Sequence, residues 1–140
     1  MLEDYGIVGD IIDIPGRAAQ VPAGEWRNEV LTRVNDAVVR LGVIQGEYHW
    51  HSHPDEDEFF MTLEGELLLD IREGGEPEGG EGAGGEAERG EEPPFETVTL
   101  FTHEAYTVPR GVVHRTRAVE RCCILMVEKA TVEPAGEKTE

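Results

Sequence analysis

From Trp26 onward, apolar and polar residues alternate with a period of two, the pattern of strands with one face in a core and one in water. Glu29–Val34 and Ala37–Gln45 flank Asn35-Asp36, a dipeptide suited to the positive φ of a two-residue turn, which predicts a β-hairpin. Further strands are predicted at Glu47–Ser52, Glu58–Leu63, Glu66–Arg72, Phe95–Phe101, Ala105–Val108, Val112–Thr116 and Cys122–Glu128. Before Trp26 there is one apolar cluster, Ile11-Ile12-Asp13-Ile14, read as a short strand or extended arm stopped by Pro15-Gly16. No segment carries a sustained helical period with start and stop signals. Many short strands separated by Gly and Pro predict an all-β sandwich, barrel or jelly roll.

Residues 73–92 break the alternation: eight are Gly, eight are Glu and one is Arg. Such a segment has no apolar surface with which to offset the entropy of ordering, so it is read as a flexible acidic loop joining two strands. The expected organisation is an arm at 1–25, a barrel at 26–130 interrupted by that loop, and a frayed tail at 131–140.

At 140 residues the chain suits one core, and its 30 Asp+Glu against 12 Lys+Arg give a formal net charge of -18. That surface repels phosphate backbones and anionic headgroups, which argues against nucleic-acid and membrane partners. No apolar run reaches the ~20 residues of a spanning helix. The first residues carry acids where a secretion signal needs positive charge, so a cytoplasmic location is expected. Cys122 and Cys123 are adjacent and face opposite sides of a strand, which predicts half-buried thiols rather than a disulfide.

Three of the five histidines sit at 49, 51 and 53, on one face of an extended segment. Glu58 follows a Pro-containing turn, and His114 lies far downstream between apolar residues. A lone His-x-His more often marks surface or core histidines. These sit among strands, where unpartnered polar groups cost roughly 2–7 kcal/mol each. Imidazoles and a carboxylate suit a divalent transition ion such as Mn, Fe, Zn, Ni, Co or Cu. Neighbouring strands ~4.8 Å apart can bring such side chains together.

Gly46-Glu-Tyr-His-Trp-His51-Ser-His53, followed by Glu58 and Gly65, resembles the first motif of the cupin superfamily. Pro109-Arg-Gly111-Val-Val-His114 resembles the second. The resemblance spans about residues 26–130. It implies a double-stranded β-helix (jelly-roll) barrel with His51, His53, Glu58 and His114 as ligands of one metal ion. It is nearest the small one-domain cupins often labelled mannose-6-phosphate isomerase-like. Two positions depart from the second motif: His103 stands where Gly is usual, and Ala118 where Asn is usual. His103 is read as a turn residue.

The resemblance implies metal-dependent isomerase, epimerase or dioxygenase chemistry on a small polar molecule; a non-catalytic small-ligand or metal-binding module is the alternative. No catalytic acid or base is evident, Glu47 being a weak candidate. Strand parity adds Phe60, Thr62 and Thr116 to the expected pocket, with His49 on its wall rather than ligating. Parity also sends Arg115 and Arg117 away from the ion, as surface residues, and sets Trp50 beneath the arm or a partner subunit. Edge strands predict a homodimer.

Overall fold

The computed structural model describes residues 6–72, 94–130 and, for the backbone alone, 137–138. The expected acidic loop at 73–92 lies outside the described residues. Among the described residues, nine strands form one antiparallel sheet that wraps on itself: β1 (Arg27–Val34), β2 (Ala37–Glu47), β3 (His51–Ser52), β4 (Glu58–Glu64), β5 (Leu67–Arg72), β6 (Phe95–Leu100), β7 (Ala105–Val108), β8 (His114–Lys129) and β9 (Glu137–Lys138). The architecture is the all-β double-stranded β-helix that the motifs implied. β1 and β2 form the predicted hairpin, closing on Val34↔Ala37 with Asn35 at φ 55°.

β8 organises the rest. Val112–Thr116 and Cys122–Glu128 were expected as separate strands, whereas a single strand runs from His114 to Lys129, pairing with β2, β3, β4 and β5. Arg117, Glu120 and Arg121 set charged side chains between the two expected strands. The stretch stays extended because it finds partners: Arg117 reaches Asp70, and Arg121 donates to the carbonyls of Ala18 and Val21. Period-two alternation along β8 serves two apolar clusters. Cys122, Ile124 and Met126 join Ile44, Phe60, Leu67 and Leu69 inside the barrel. Cys123 packs outside it with Leu31, Leu41, Val43, Ala18 and Val21. The two free thiols thus face opposite ways, fully rather than half buried. Burial pushes the Cys122 thiol up to about 12.

The arm contains a short helix, α1 (Ile14–Ala19), where an extended segment was expected. Pro15-Gly16 starts this helix instead of stopping a strand. Asp13 caps it by accepting from the Gly16 N–H at 3.1 Å, and Pro15, at the first turn, has a φ already set for helix and no N–H to satisfy. The Arg121 guanidinium takes up carbonyls at and beyond its other end. At the chain's other end, Glu137–Lys138 pairs with β3, where a frayed tail was expected.

Candidate metal centre

Only two residues of the predicted strand Glu47–Ser52 form β3. At Gly46 the φ is 96°, and the β2–β8 register shifts between Ile44 and Gly46. This positive-φ step suits glycine, which has no Cβ to clash. Pairing with β8 resumes at Gly46↔Ala118 and Glu47↔Arg117, and the Tyr48 N–H still donates to the Thr116 carbonyl at 3.0 Å. The register then sets His51 opposite His114. Gly111, at φ 81°, turns the Pro109–His114 segment and donates its N–H to the His53 carbonyl at 2.9 Å. Glu58 enters as the first residue of β4.

These placements bring His51, His53, Glu58 and His114 together, all four buried, with one potential ligand atom from each lying within 4.8 Å of the others. His53 Nε2 is 3.1 Å and His114 Nε2 3.4 Å from Glu58 Oε1. His51 Nδ1 lies 3.0 Å from the His49 carbonyl, and His114 Nδ1 2.9 Å from that of Val112. A carbonyl can only accept, so both Nδ1 atoms carry the proton and each Nε2 keeps its lone pair for an ion. Burial, then the neighbouring His114, pushes His51 down to about 4, which keeps it neutral at pH 7. His53 Nε2 is buried, and beyond its 3.1 Å contact with Glu58 Oε1, which lacks hydrogen-bond geometry, it has no partner. Three imidazoles, a carboxylate and one orphaned ring nitrogen fit a divalent transition ion.

Sequence reading missed a second buried carboxylate. Phe59 pairs with Val127, which brings Glu58 and Glu128 to neighbouring positions across β4 and β8. Arg40 Nε holds Glu128 Oε2 at 2.6 Å, and Glu128 Oε1 is buried without a hydrogen-bond partner. Burial and the adjacent Glu58 push Glu128 well above the usual carboxylate range, with Arg40 opposing. Burial alone would also raise Glu58, but His114, His53 and Glu128 outweigh it and hold it below that range. The two carboxyls titrate as a pair, one driven down and the other up. Near the end of β8, in Val-Glu-Lys, Glu128 looks like an ordinary surface residue.

A cavity of about 170 Å³ opens beside the cluster, reaching His51 and Glu58 and walled by Trp26, Tyr48, Ile44, Phe60, Ile124 and Met126, with Gly42 and Thr116 also lining it. Of the four pocket residues expected from parity, Phe60 and Thr116 face it. Thr62 does not: its hydroxyl donates to the Leu100 carbonyl at 3.0 Å inside the sheet. His49 stands outside the group of four, packed on Tyr48 with ring centroids 4.2 Å apart. His103 takes up φ 73° at the turn where glycine is usual, its N–H bonded to the Thr62 carbonyl, and is exposed.

Arg115 corrects another expectation. Parity does turn it from the cluster, yet it is buried, not on the surface: its Nε donates to Asp70 Oδ2 at 2.8 Å and its guanidinium lies 4.5 Å from the Trp50 ring centroid. Arg117 donates to both Asp70 oxygens at 2.8 Å. Burial would raise Asp70, but Arg117, Arg115 and Thr97 bring it down to about 2. Trp50 packs on Phe95 and under Arg72, not beneath the arm. Glu47 is exposed, near Arg115 and outside the cavity, which leaves no case for it as a base.

Comparison with known proteins agrees with this construction. No family model matches the chain. Over 106 residues, 76% of the chain and 75% of the relative, it is 39% identical to the uncharacterized protein YdbB of Bacillus subtilis. A cupin-2 domain protein from Shewanella frigidimarina superposes with a TM-score of 0.66 at 27% identity, covering 85% of this chain and 94% of that one. A double-stranded β-helix protein from Klebsiella pneumoniae gives 0.60 at 17% identity, covering 87% and 85%, which speaks to fold alone. With both motifs set in such a barrel, the chain belongs to the cupin superfamily, in one family with YdbB.

Proposed function

We propose that the chain holds one divalent transition-metal ion with His51, His53, Glu58 and His114, and that it acts as a metal-dependent enzyme on a small molecule entering the adjoining cavity. The observation that carries this reading is the donor set. Two imidazoles are locked by backbone carbonyls in the tautomer a metal needs, and a third, in His53, presents a buried nitrogen without a hydrogen-bond partner. A bound ion would polarise an oxygen substituent of the substrate, activate water or support redox chemistry, according to its identity. The chain's own contribution is to hold the ligand lone pairs inward, shield the site from bulk water, and offer a small cavity on one side. The reaction classes implied by the cupin resemblance, isomerisation or epimerisation and dioxygenation, remain the two to test.

A binding module without turnover is the second reading, and one observation favours it. Among the described residues, the cavity wall offers no imidazole or carboxylate beyond His51 and Glu58, both assigned to the ion. Tyr48 adds only a phenol that burial, then Glu58, pushes above its usual range.

Elemental analysis of protein purified without chelators tests the metal, and one equivalent is expected. Iron or manganese would direct the search to dioxygen uptake, and zinc to isomerase or hydrolytic assays. Absence of metal after reconstitution with each candidate ion would overturn the reading. The homodimer expected from exposed edges belongs to the same proposal. Among the described strands β1 pairs with β2, and its other edge is met at Leu31 by the Ile7 N–H at 2.8 Å; light scattering would decide the oligomeric state. Among the described residues no helix is long and apolar enough to cross a membrane; a cytoplasmic location remains part of the proposal.

A further inference from the structure

The cavity constrains what the centre receives, and this inference rests on the metal reading above. Its wall is mostly apolar: Trp26, Ile44, Phe60, Ile124 and Met126, with Tyr48 stacked on Trp26 at 6.0 Å. Its one basic lining residue, Arg27, already faces Glu29 at 3.4 Å and Glu25 at 3.5 Å. The other arginines that could have met an anion are engaged elsewhere. Arg40 is held by Glu128, Arg115 and Arg117 by Asp70, and the exposed Arg110 lies against Asp57. Glu58 adds negative charge at the floor, and the whole chain carries a net charge of -18. Apart from the ion itself, whose charge Glu58 partly offsets, a phosphate group entering here would find among the described residues of the wall only Arg27, already facing two glutamates, and would give up water for an apolar surround.

The size is also restrictive. Pockets for drug-sized ligands measure roughly 300–1,000 Å³, against about 170 Å³ here. An apolar ring fits such a wall, because burying it releases water without stranding a polar group. The polar groups that remain, Tyr48, Asn28 and Thr116, suit a neutral ligand.

We propose that the cavity selects a small uncharged chelator, with adjacent oxygen donors directed toward His51 and Glu58 and an apolar ring against Trp26, Ile44, Phe60, Ile124 and Met126, and that it rejects phosphorylated sugars. Trp26, 43% exposed at the mouth, sets this preference by covering the ring.

The test is calorimetric titration of zinc-loaded protein, with metal content measured on the same samples. The probes are maltol, a ring with neighbouring carbonyl and hydroxyl oxygens; acetohydroxamate, a chelator without a ring; and mannose 6-phosphate. Maltol is expected to bind about tenfold more tightly than either of the others, a factor worth about 1.4 kcal/mol. Its lead over mannose 6-phosphate should persist in molar salt, where general charge repulsion is screened. Trp26→Ala should erase most of the lead over acetohydroxamate. Mannose 6-phosphate binding as tightly as maltol would overturn the proposal, as would equal affinities for maltol and acetohydroxamate. Protein that takes up no zinc would overturn the metal reading and this inference together, an outcome distinct from zinc-loaded protein that ignores maltol.

Discussion

His114 and Arg115 are consecutive on β8, and their side chains enter two buried polar clusters on opposite faces of the sheet. Outside, Asp70 meets Arg115 and Arg117 with three contacts of 2.8 Å, and Thr97 adds a hydrogen bond of 2.7 Å. Two guanidiniums there face two carboxylates, Asp70 and, 3.6 Å from Arg115, Glu47, and Trp50 and Phe95 cover the Arg115 guanidinium. Inside, His51, His53, Glu58 and His114 offer mainly lone pairs, with Glu58 the common neighbour of two imidazoles and one ring nitrogen orphaned. Both clusters are buried and both are polar, so burial alone does not separate a fastening from a binding site. Charge balance does. A cluster complete in itself stabilises the fold, and one composed of unshared donors to a cation is built for something that arrives later.

If that contrast is right, the outer cluster should dominate stability. Asp70→Asn strands a buried guanidinium and is expected to cost about 3–5 kcal/mol in urea unfolding, while the folded fraction still takes up one equivalent of metal. A loss below about 1 kcal/mol would show the cluster to be incidental.

The inner cluster should matter to stability only when loaded. At a hundredfold excess over Kd, a bound ion should raise wild-type stability by about 2.7 kcal/mol. His114→Ala should abolish that increment and metal uptake with it. A metal-dependent rise in melting temperature that survived in the variant would break the distinction.

Acid titration of the metal-free protein should separate the two clusters by pH. His51 has its folded-state value lowered from 6.5 to about 4, so the unfolded chain takes up the proton first and stability falls as pH drops through that interval. Asp70 is lowered from 3.8 to about 2. Its contribution is complete above 3.8 and disappears as pH falls toward 2. His51→Ala should flatten the upper phase and Asp70→Asn the lower one; a single phase untouched by either variant would contradict the assignment.

The smallest effect is expected at Glu128. Glu128→Gln keeps the volume but replaces the carboxyl that titrates together with Glu58 by an amide that cannot, and metal affinity should fall on the order of tenfold, as for other groups that orient a ligand. An unchanged affinity would place Glu128 in the outer cluster's category, as a fastening only.

Much of this was legible in the chain. Alternation gave the barrel strands, Asn35 gave the hairpin, and the two motifs gave the residues that meet in the interior. What stayed hidden depended on partners distant in sequence. Arg115 reads as a surface residue until the register Asp70↔Arg115 is known, and Glu128 until β4 is seen to bring Glu58 beside it. The unity of β8 was concealed by Arg117, Glu120 and Arg121, charged residues between the two expected strands. Two of them bind carboxylate or carbonyl groups from other segments. The helix was a misread signal of a different kind: Asp13, Ile14 and Pro15 form a local start, and a six-residue helix is too short for periodicity to reveal.

The central claim is that the four inner side chains serve one cation together. Cobalt(II) titration of the metal-free protein, followed by its visible absorption, tests this most directly. Saturation at one equivalent in the wild type, with no signal in His51→Ala or in His114→Ala, is the predicted result; a signal of the same size and stoichiometry in both variants would contradict it.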